Sequence, residues 1–307
     1  MATPVVPTAR VERAPAKVNL TLRVLARRPD GYHELESLVV FAGVADTLAF
    51  TPGRSLALAV RGPTAAAAGD LSDNLVLRAV RALVERAEGI KLGQFVLSKR
   101  LPVAAGLGGG STDAAAALRL IARHNHIAID DARLMAAARA TGADVPVCLD
   151  PQPRLMRGIG ELLSAPLRLP SLPALLINPR VSVATRDVFA ALRAQPVGQN
   201  LFSVLPDERW TGEAGSTLRA RAELIDFVSR HPNDLEPPAV ALHPAIAQAL
   251  AALQALPGCR LARMSGSGAS CFALFDSNAA AAAAARGLRL AHPQWWIRPT
   301  MFCELLK

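Results

Sequence analysis

The chain has 307 residues, 51% of them hydrophobic, and a mean hydropathy of +0.26, which excludes a disordered protein and leaves room for two domains with a large core. No apolar run free of charges is long enough to span a bilayer, and the stretch up to Arg13 lacks the apolar centre of a signal peptide, so a soluble cytoplasmic protein is expected. Basic side chains outnumber acidic ones by 34 to 25, a net charge of +9, but they are mostly arginines spread singly, without aromatic interleaving, and aromatics are only 4% of the chain. That pattern argues against a nucleic-acid stripe and suits a small polyanionic ligand equally well.

Four cysteines, Cys148, Cys259, Cys271 and Cys303, include no Cys-x-x-Cys pair, which argues against structural zinc and against a disulfide framework. His124 and His126 have no acidic or cysteine partner at ligand spacing and read as an exposed helix end.

Taken in order, the first nine residues are rich in proline and threonine and read as loose. Val18, Leu20, Leu22 and Val24 alternate with polar or small residues and predict a strand over 11–25. Lys17 and Asn19 share one face of it, which reads as a solvated edge. Pro29-Asp30-Gly31 marks a turn. Tyr32, the only tyrosine, and His33 follow it and either pack a hairpin corner or present faces to a flat ring. A strand over 35–41, short strands over 46–60 and a loop over 62–70 come next. Ser72-Asp73-Asn74 caps a helix over 75–87, with Leu75, Ala79, Ala82 and Leu83 on one face.

A strand over 94–100 then enters Leu101-Pro102-Val103-Ala104-Ala105-Gly106-Leu107-Gly108-Gly109-Gly110-Ser111-Thr112-Asp113, and an alanine-rich helix over 113–123 leaves it, burying Ala114, Ala117, Leu118 and Ile121. Four glycines in five positions let backbone amides lie against a ligand and admit positive φ. The helix start adds unpaired N–H groups and the positive end of its dipole, which together make a site for phosphate oxygens. The run is no Walker A loop, lacking Gly-Lys-Ser/Thr, and no full dinucleotide fingerprint, since Ser111 stands at the third glycine. The plain alternative is a flexible turn with Ser111 as N-cap.

A helix over 131–141 ends at Gly142. Asp144, in Gly142-Ala143-Asp144-Val145-Pro146, is either the N-cap of a helix with Pro146 in its first turn or a carboxylate in an apolar setting, fit for a general base. Pro151-Gln152-Pro153 looks like a domain boundary, and Gly158 to Glu161 a turn. Beyond it we expect a strand over 175–183 interrupted by Pro179, a helix from 184 through Phe189 and Leu192, and a polar surface loop over 194–217. Helices over 217–229 and 244–256 and a strand over 258–263 follow. Met264-Ser265-Gly266-Ser267-Gly268-Ala269-Ser270 is either a hairpin turn or a second set of amides and hydroxyls aimed at an anion. A strand over 271–275, an alanine helix capped by Asn278 and a strand over 295–303 close the chain.

Three stretches, Pro15-Ala16-Lys17-Val18-Asn19-Leu20, the glycine run with its helix, and 263–275, resemble in order and spacing the three motifs of the GHMP kinase superfamily. Asp30-Gly31-Tyr32-His33, Gly142 to Pro146 and Asn233-Asp234-Leu235-Glu236 resemble the branch whose acceptor is a cytidine-diphosphate-linked methylerythritol. The resemblance implies an α+β, two-domain fold: a ribosomal protein S5 domain 2-like N-terminal domain (1–152) holding ATP and a ferredoxin-like C-terminal domain (153–307), with the substrate cleft between them. It implies Mg²⁺-dependent transfer of a phosphoryl group from ATP to a hydroxyl. Asp144 would be the base with Lys17 as its partner, and 102–112 would hold the ATP phosphates. Tyr32, His33 and Phe189 would receive the cytosine, and Asn19, Thr185, Ser267 and Gly268 would help position the substrate. A kinase for another small alcohol, of homoserine or mevalonate type, is the alternative. Neither nucleic acid nor membrane is an expected partner, and the assembly is a monomer or homodimer. Two departures from the branch are the missing phenylalanines at Val147-Cys148-Leu149 and the basic Arg154-Leu155-Met156-Arg157-Gly158.

Overall fold

The computed structural model describes residues 9–192 and 220–303. The polar loop expected over 194–217, the start of the helix expected at 217 and all but residue 9 of the loose N-terminus lie outside the described residues. In chain order the strands are β1 (Arg10–Asn19), β2 (Arg23–Arg27), β3 (His33–Pro52), β4 (Ala57–Arg61), β5 (Gly93–Ser98), β6 (Arg154–Gly158), β7 (Leu162–Leu163), β8 (Leu172–Asn178), β9 (Leu261–Met264), β10 (Cys271–Leu274) and β11 (Trp296–Phe302). The helices are α1 (Leu75–Val84), α2 (Gly109–His124), α3 (Ala132–Thr141), α4 (Val145–Leu149), α5 (Thr185–Leu192), α6 (Arg221–Arg230), α7 (Glu236–Leu242), α8 (Pro244–Gln254) and α9 (Asn278–Ala291).

This α+β chain divides into two compact units, each discontinuous in sequence. The first holds residues 9–16, Ala45–Val103 and Gly109–Asp150; the second holds Lys17–Val44, Ala104–Gly108 and the described residues from Pro151 onward. The boundary expected at 152/153 is a single cut along the chain, whereas residues 17–44 and 104–108 group with the C-terminal half.

In the first unit β5 runs antiparallel to the end of β3, from Thr47 opposite Ser98 to Pro52 opposite Gly93, and β4 joins β5 in parallel. Phe95 and Leu97 of β5 are buried and Gln94 is exposed, the period-2 pattern of a strand with one covered face. Helix α2 is buried at 112–118 and 120–122, nearly all round, because its alanines let α1, α3 and α4 approach closely. In the second unit β8 is buried at every position, as its unbroken apolar run requires, and lies between β10 and β11, antiparallel to both. β9 pairs with β10, and β2, β6 and β11 pair with the first part of β3. Leu175, Ile177, Ile246, Leu253, Phe275 and Leu288 centre its core.

Several elements depart from their sequence reading. The strand expected over 11–25 breaks after Asn19, and the short strands expected over 46–60 are the tail of the 20-residue β3 followed by β4. Helix α1 stops at Val84 and buries Val76, Leu77, Ala79, Val80 and Leu83, because it packs against both α2 and α3. Ser277, not Asn278, caps α9, its side chain accepting from Ala280 N at 3.2 Å. Helix α2 starts at Gly109, so Ser111 lies inside it and is not its cap.

Candidate active site

Lys17 and Asn19 are 4% and 1% exposed, which overturns the solvated edge. Lys17 Nζ donates to Asn19 Oδ1 (3.3 Å). Asn19 Nδ2 donates to Ser37 Oγ (2.7 Å), which donates on to the Thr21 carbonyl (2.6 Å). Buried polar groups need such partners, and this chain of bonds orients the Asn19 amide.

One hydroxyl draws three distant stretches together. Ser265 Oγ accepts from Asn19 N (3.1 Å) and donates to Gly106 O (2.9 Å). Lys17 N donates to Leu107 O (2.9 Å), and Ser270 N to Ala105 O (3.1 Å). Residues Ala104 to Gly108 are thus laced by main-chain bonds to β1 on one side and to the β9–β10 hairpin loop on the other. A Cβ at Gly108 would lie 3.1 Å from Lys17 Cβ and 3.2 Å from its Cε, so the lysine stem runs along that glycine.

Asn233–Glu236 supports the hairpin loop. Asn233 Nδ2 donates to Met264 O (2.9 Å) and Gly266 O (2.8 Å), and its Oδ1 accepts from Leu235 N (3.0 Å). Asp234 accepts from Val24 N (2.9 Å), and Glu236 from Met264 N (2.7 Å). Asn233→Ala strips two inward carbonyls of their donor and is expected to lower stability by about 2–4 kcal/mol, read as an earlier urea midpoint at unchanged slope.

Thr185 Oγ1 and Ser267 Oγ hydrogen-bond at 2.9 Å. His33 stacks on Phe189, with ring centroids 4.7 Å apart and planes at 28°. Burial, and then Arg27, lower the His33 pKa, which favours the neutral imidazole. Tyr32 is 59% exposed and packs no hairpin corner; its amide is held by Asp30 Oδ1 at 3.1 Å. Lys17, Asn19, Tyr32, His33, Ala104 to Gly108, Thr185, Phe189, Ser267 and Gly268 all belong to the second unit.

Pro102, Val103, Gly109, Gly110, Ser111, Thr112 and Asp144 belong to the first unit. Because α2 starts at Gly109, the unpaired amides of its first turn come from the glycine run itself. Thr112 is buried and its hydroxyl donates to Gly109 O (3.0 Å), turned into the helix. Asp144 stands at the N-cap position of α4, but its side chain makes no capping hydrogen bond, so the capping role fails.

Lys99, Asp46 and Asp113 form a buried group of charges that sequence reasoning missed. Lys99 Nζ donates to Asp46 Oδ2 (2.6 Å) and Asp113 Oδ2 (2.7 Å). Burial pushes the Asp113 carboxyl up to about 7 against the pull of Lys99, since two acids share one ammonium. Burial also lowers Lys99, but Asp113 and Asp46 outweigh it and leave the ammonium raised. Lys99 and Asp113 flank the glycine run and were open to detection by their position; Asp46, 53 residues from Lys99, had no local signal.

The basic departure after residue 153 serves the fold: Arg157 Nε meets the buried Glu36 carboxylate (2.9 Å) and Arg154 donates to Ser164 O (2.6 Å). Among the described residues no group of three or more His, Cys, Asp or Glu side chains could hold a metal ion, and no helix is long and apolar enough to cross a membrane.

The sequence matches the GHMP kinases N terminal domain over residues 74–150 and the GHMP kinases C terminal over 218–294. It is 58% identical over 289 residues to the 4-diphosphocytidyl-2-C-methyl-D-erythritol kinase of Xanthobacter autotrophicus, covering 94% of this chain and 97% of that one. The chain belongs to the GHMP kinase family. A second relative of this GHMP kinase, the Methylorubrum extorquens protein of the same name, is 57% identical over 94% of this chain and 97% of its own. A crystal structure of 4-(cytidine 5'-diphospho)-2C-methyl-D-erythritol kinase aligns with a TM-score of 0.73 at 35% identity, covering 95% of this chain and 99% of that one. Homoserine kinase from Cytophaga hutchinsonii, at 19% identity and TM-score 0.67 over 98% of this chain and 96% of its own, shares the fold.

Proposed function

We propose that this GHMP kinase transfers the γ-phosphoryl group of ATP to the 2-hydroxyl of 4-diphosphocytidyl-2-C-methyl-D-erythritol, in the non-mevalonate route to isoprenoid precursors. The observation that carries this is the nearly full-length identity with relatives of that name. Asp144 takes the hydroxyl proton as that oxygen bonds to the γ-phosphorus; the bond to the β–γ bridging oxygen breaks, and ADP leaves with its electron pair. Such a transition state is loose, so the protein acts mainly by positioning and by stabilising charge. Main-chain amides of 102–112 supply fixed donors to the phosphates, and Lys17 supplies positive charge to the reacting hydroxyl. His33, Phe189 and Tyr32 take the cytosine, for which a neutral imidazole suits a neutral base. Asn19, Thr185, Ser267 and Gly268 position the remainder.

Bound Mg²⁺ would neutralise charge across the phosphates. It usually keeps several waters and takes one or two carboxylates with phosphate oxygens. Among the described residues no cluster of three or more His, Cys, Asp or Glu side chains would cage it, and Asp113 is committed to Lys99. We take residues 1–152 as the ATP-binding domain and 153–307 as the C-terminal domain of a cytoplasmic monomer or homodimer that binds neither nucleic acid nor membrane.

A panel of alcohols tests the substrate assignment. The cytidine-linked compound should be phosphorylated, and 2-C-methyl-D-erythritol 4-phosphate, which lacks the cytidine, should fall by at least about a hundredfold in kcat/KM because the base-binding groups are left unfilled. Equal turnover of homoserine or mevalonate would move the protein to the other-alcohol class.

A further inference from the structure

We propose that Lys99 is a positioning residue for the nucleotide, acting as a brace that ties the entry of the glycine run to its exit through Asp46 and Asp113. The proposal rests on the assignment of ATP to that run. Lys99 follows β5 directly, and Asp113 lies in α2, 14 residues later. Everything between them is the glycine run and its approach, so one ammonium closes the excursion with two short charge-assisted bonds of 2.6 and 2.7 Å. Asp46 Oδ1 completes the entry side by accepting from the amides of Arg100 and Leu101, the latter at 2.9 Å. Thr64 Oγ1 donates to Leu101 O (2.9 Å), and Arg61 O accepts from Lys99 N (2.7 Å). On the exit side a Cβ at Gly109 would lie 3.4 Å from Lys99 Nζ, so the ammonium sits directly against the first residue of α2.

The side chains of Lys99, Asp46 and Asp113 are 4%, 0% and 3% exposed, so water does not screen them. A buried group of this kind is poor evidence for net stability. One acid more than the ammonium balances is retained here, and Asp113 Oδ1 is left buried without a hydrogen-bond partner. A fold seeking stability alone would do better with apolar residues. A loop that must hold several amides on a polyphosphate gains from having both ends fixed, because misplacement by about 1 Å is felt strongly at a reacting centre.

Asp113→Ala cuts the exit tie while leaving Lys99 and Asp46 as a balanced pair, and Asp113→Asn keeps the shape and an acceptor for Lys99. Calorimetric titration with a non-hydrolysable ATP analogue, without the alcohol, should show affinity falling about tenfold or more in Asp113→Ala and restored to within about threefold in Asp113→Asn, the scale of a lost charged hydrogen bond. KM for the alcohol should stay within about twofold, which general loosening would not spare. Unchanged analogue affinity in Asp113→Ala, or equal losses for both substrates, overturns the brace. Failure of the unmodified protein to bind the analogue overturns the nucleotide assignment itself and the brace with it.

Discussion

Asp144→Asn is expected to cut turnover by roughly two to four orders of magnitude with the fold intact. Asparagine matches the carboxylate in shape but cannot take a proton at neutral pH. Asparagine caps a helix about as well as aspartate, and the Asp144 side chain makes no capping bond to α4 in any case, so the substitution removes no cap. All five residues of α4 are buried, so packing holds the helix whatever the charge at 144. The variant should therefore stay folded and keep the parent analogue affinity while kcat collapses. Turnover within tenfold of the parent would remove Asp144 as the base.

Gly106→Ala is expected to be severely destabilising for the addition of a single methyl group. Its φ is +72°, a region that costs an L-residue roughly 1–2 kcal/mol. The added Cβ would also lie 2.3 Å from Ser265 O, 2.9 Å from Gly268 O and 3.0 Å from Gly268 N. All three are main-chain atoms, which cannot turn away as a side chain can. Relief requires the glycine run to part from the hairpin loop, breaking the bonds from Ser265 Oγ to Gly106 O and from Ser270 N to Ala105 O. We expect a loss of more than about 3 kcal/mol of stability and, in whatever folds, analogue affinity lower by about a hundredfold or more. Gly89→Ala is the control: φ there is +70° with nothing within 4 Å, so it carries the backbone strain without the collision. Equal unfolding midpoints for the two variants would show that the close approach at Gly106 carries no weight.

Features that depend on neighbours in the chain were open to reading from residues alone. The Pro-Asp-Gly turn forms where expected, Gly31 taking φ +88° and donating its amide to Arg28 O at 3.1 Å. The strand–glycine–helix switch is present, since apolar alternation and an alanine run specify both flanks. The three family motifs lie in one chain in one order, and that was enough for the family. Even locally, the start of α2 was misplaced by four residues, because packing against α1 and α4 extends the helix into glycines that propensity alone would leave as loop.

Pairings between distant residues were out of reach. Lys17 and Asn19 look solvated on a strand read alone, and only the arrival of Ser265 and Leu107 makes them interior. His33 meets Phe189, Asp46 meets Lys99, and Asn233 meets Gly266 across separations that no periodicity encodes. Sequence therefore settles where the chain turns, where it lacks side chains and to which family it belongs, all of which follow from residue type and short-range spacing. Which polar groups are buried, and which hydroxyl or ammonium holds which loop, is decided by tertiary structure. Desolvation and hydrogen-bond geometry act between atoms that only folding brings within 3 Å.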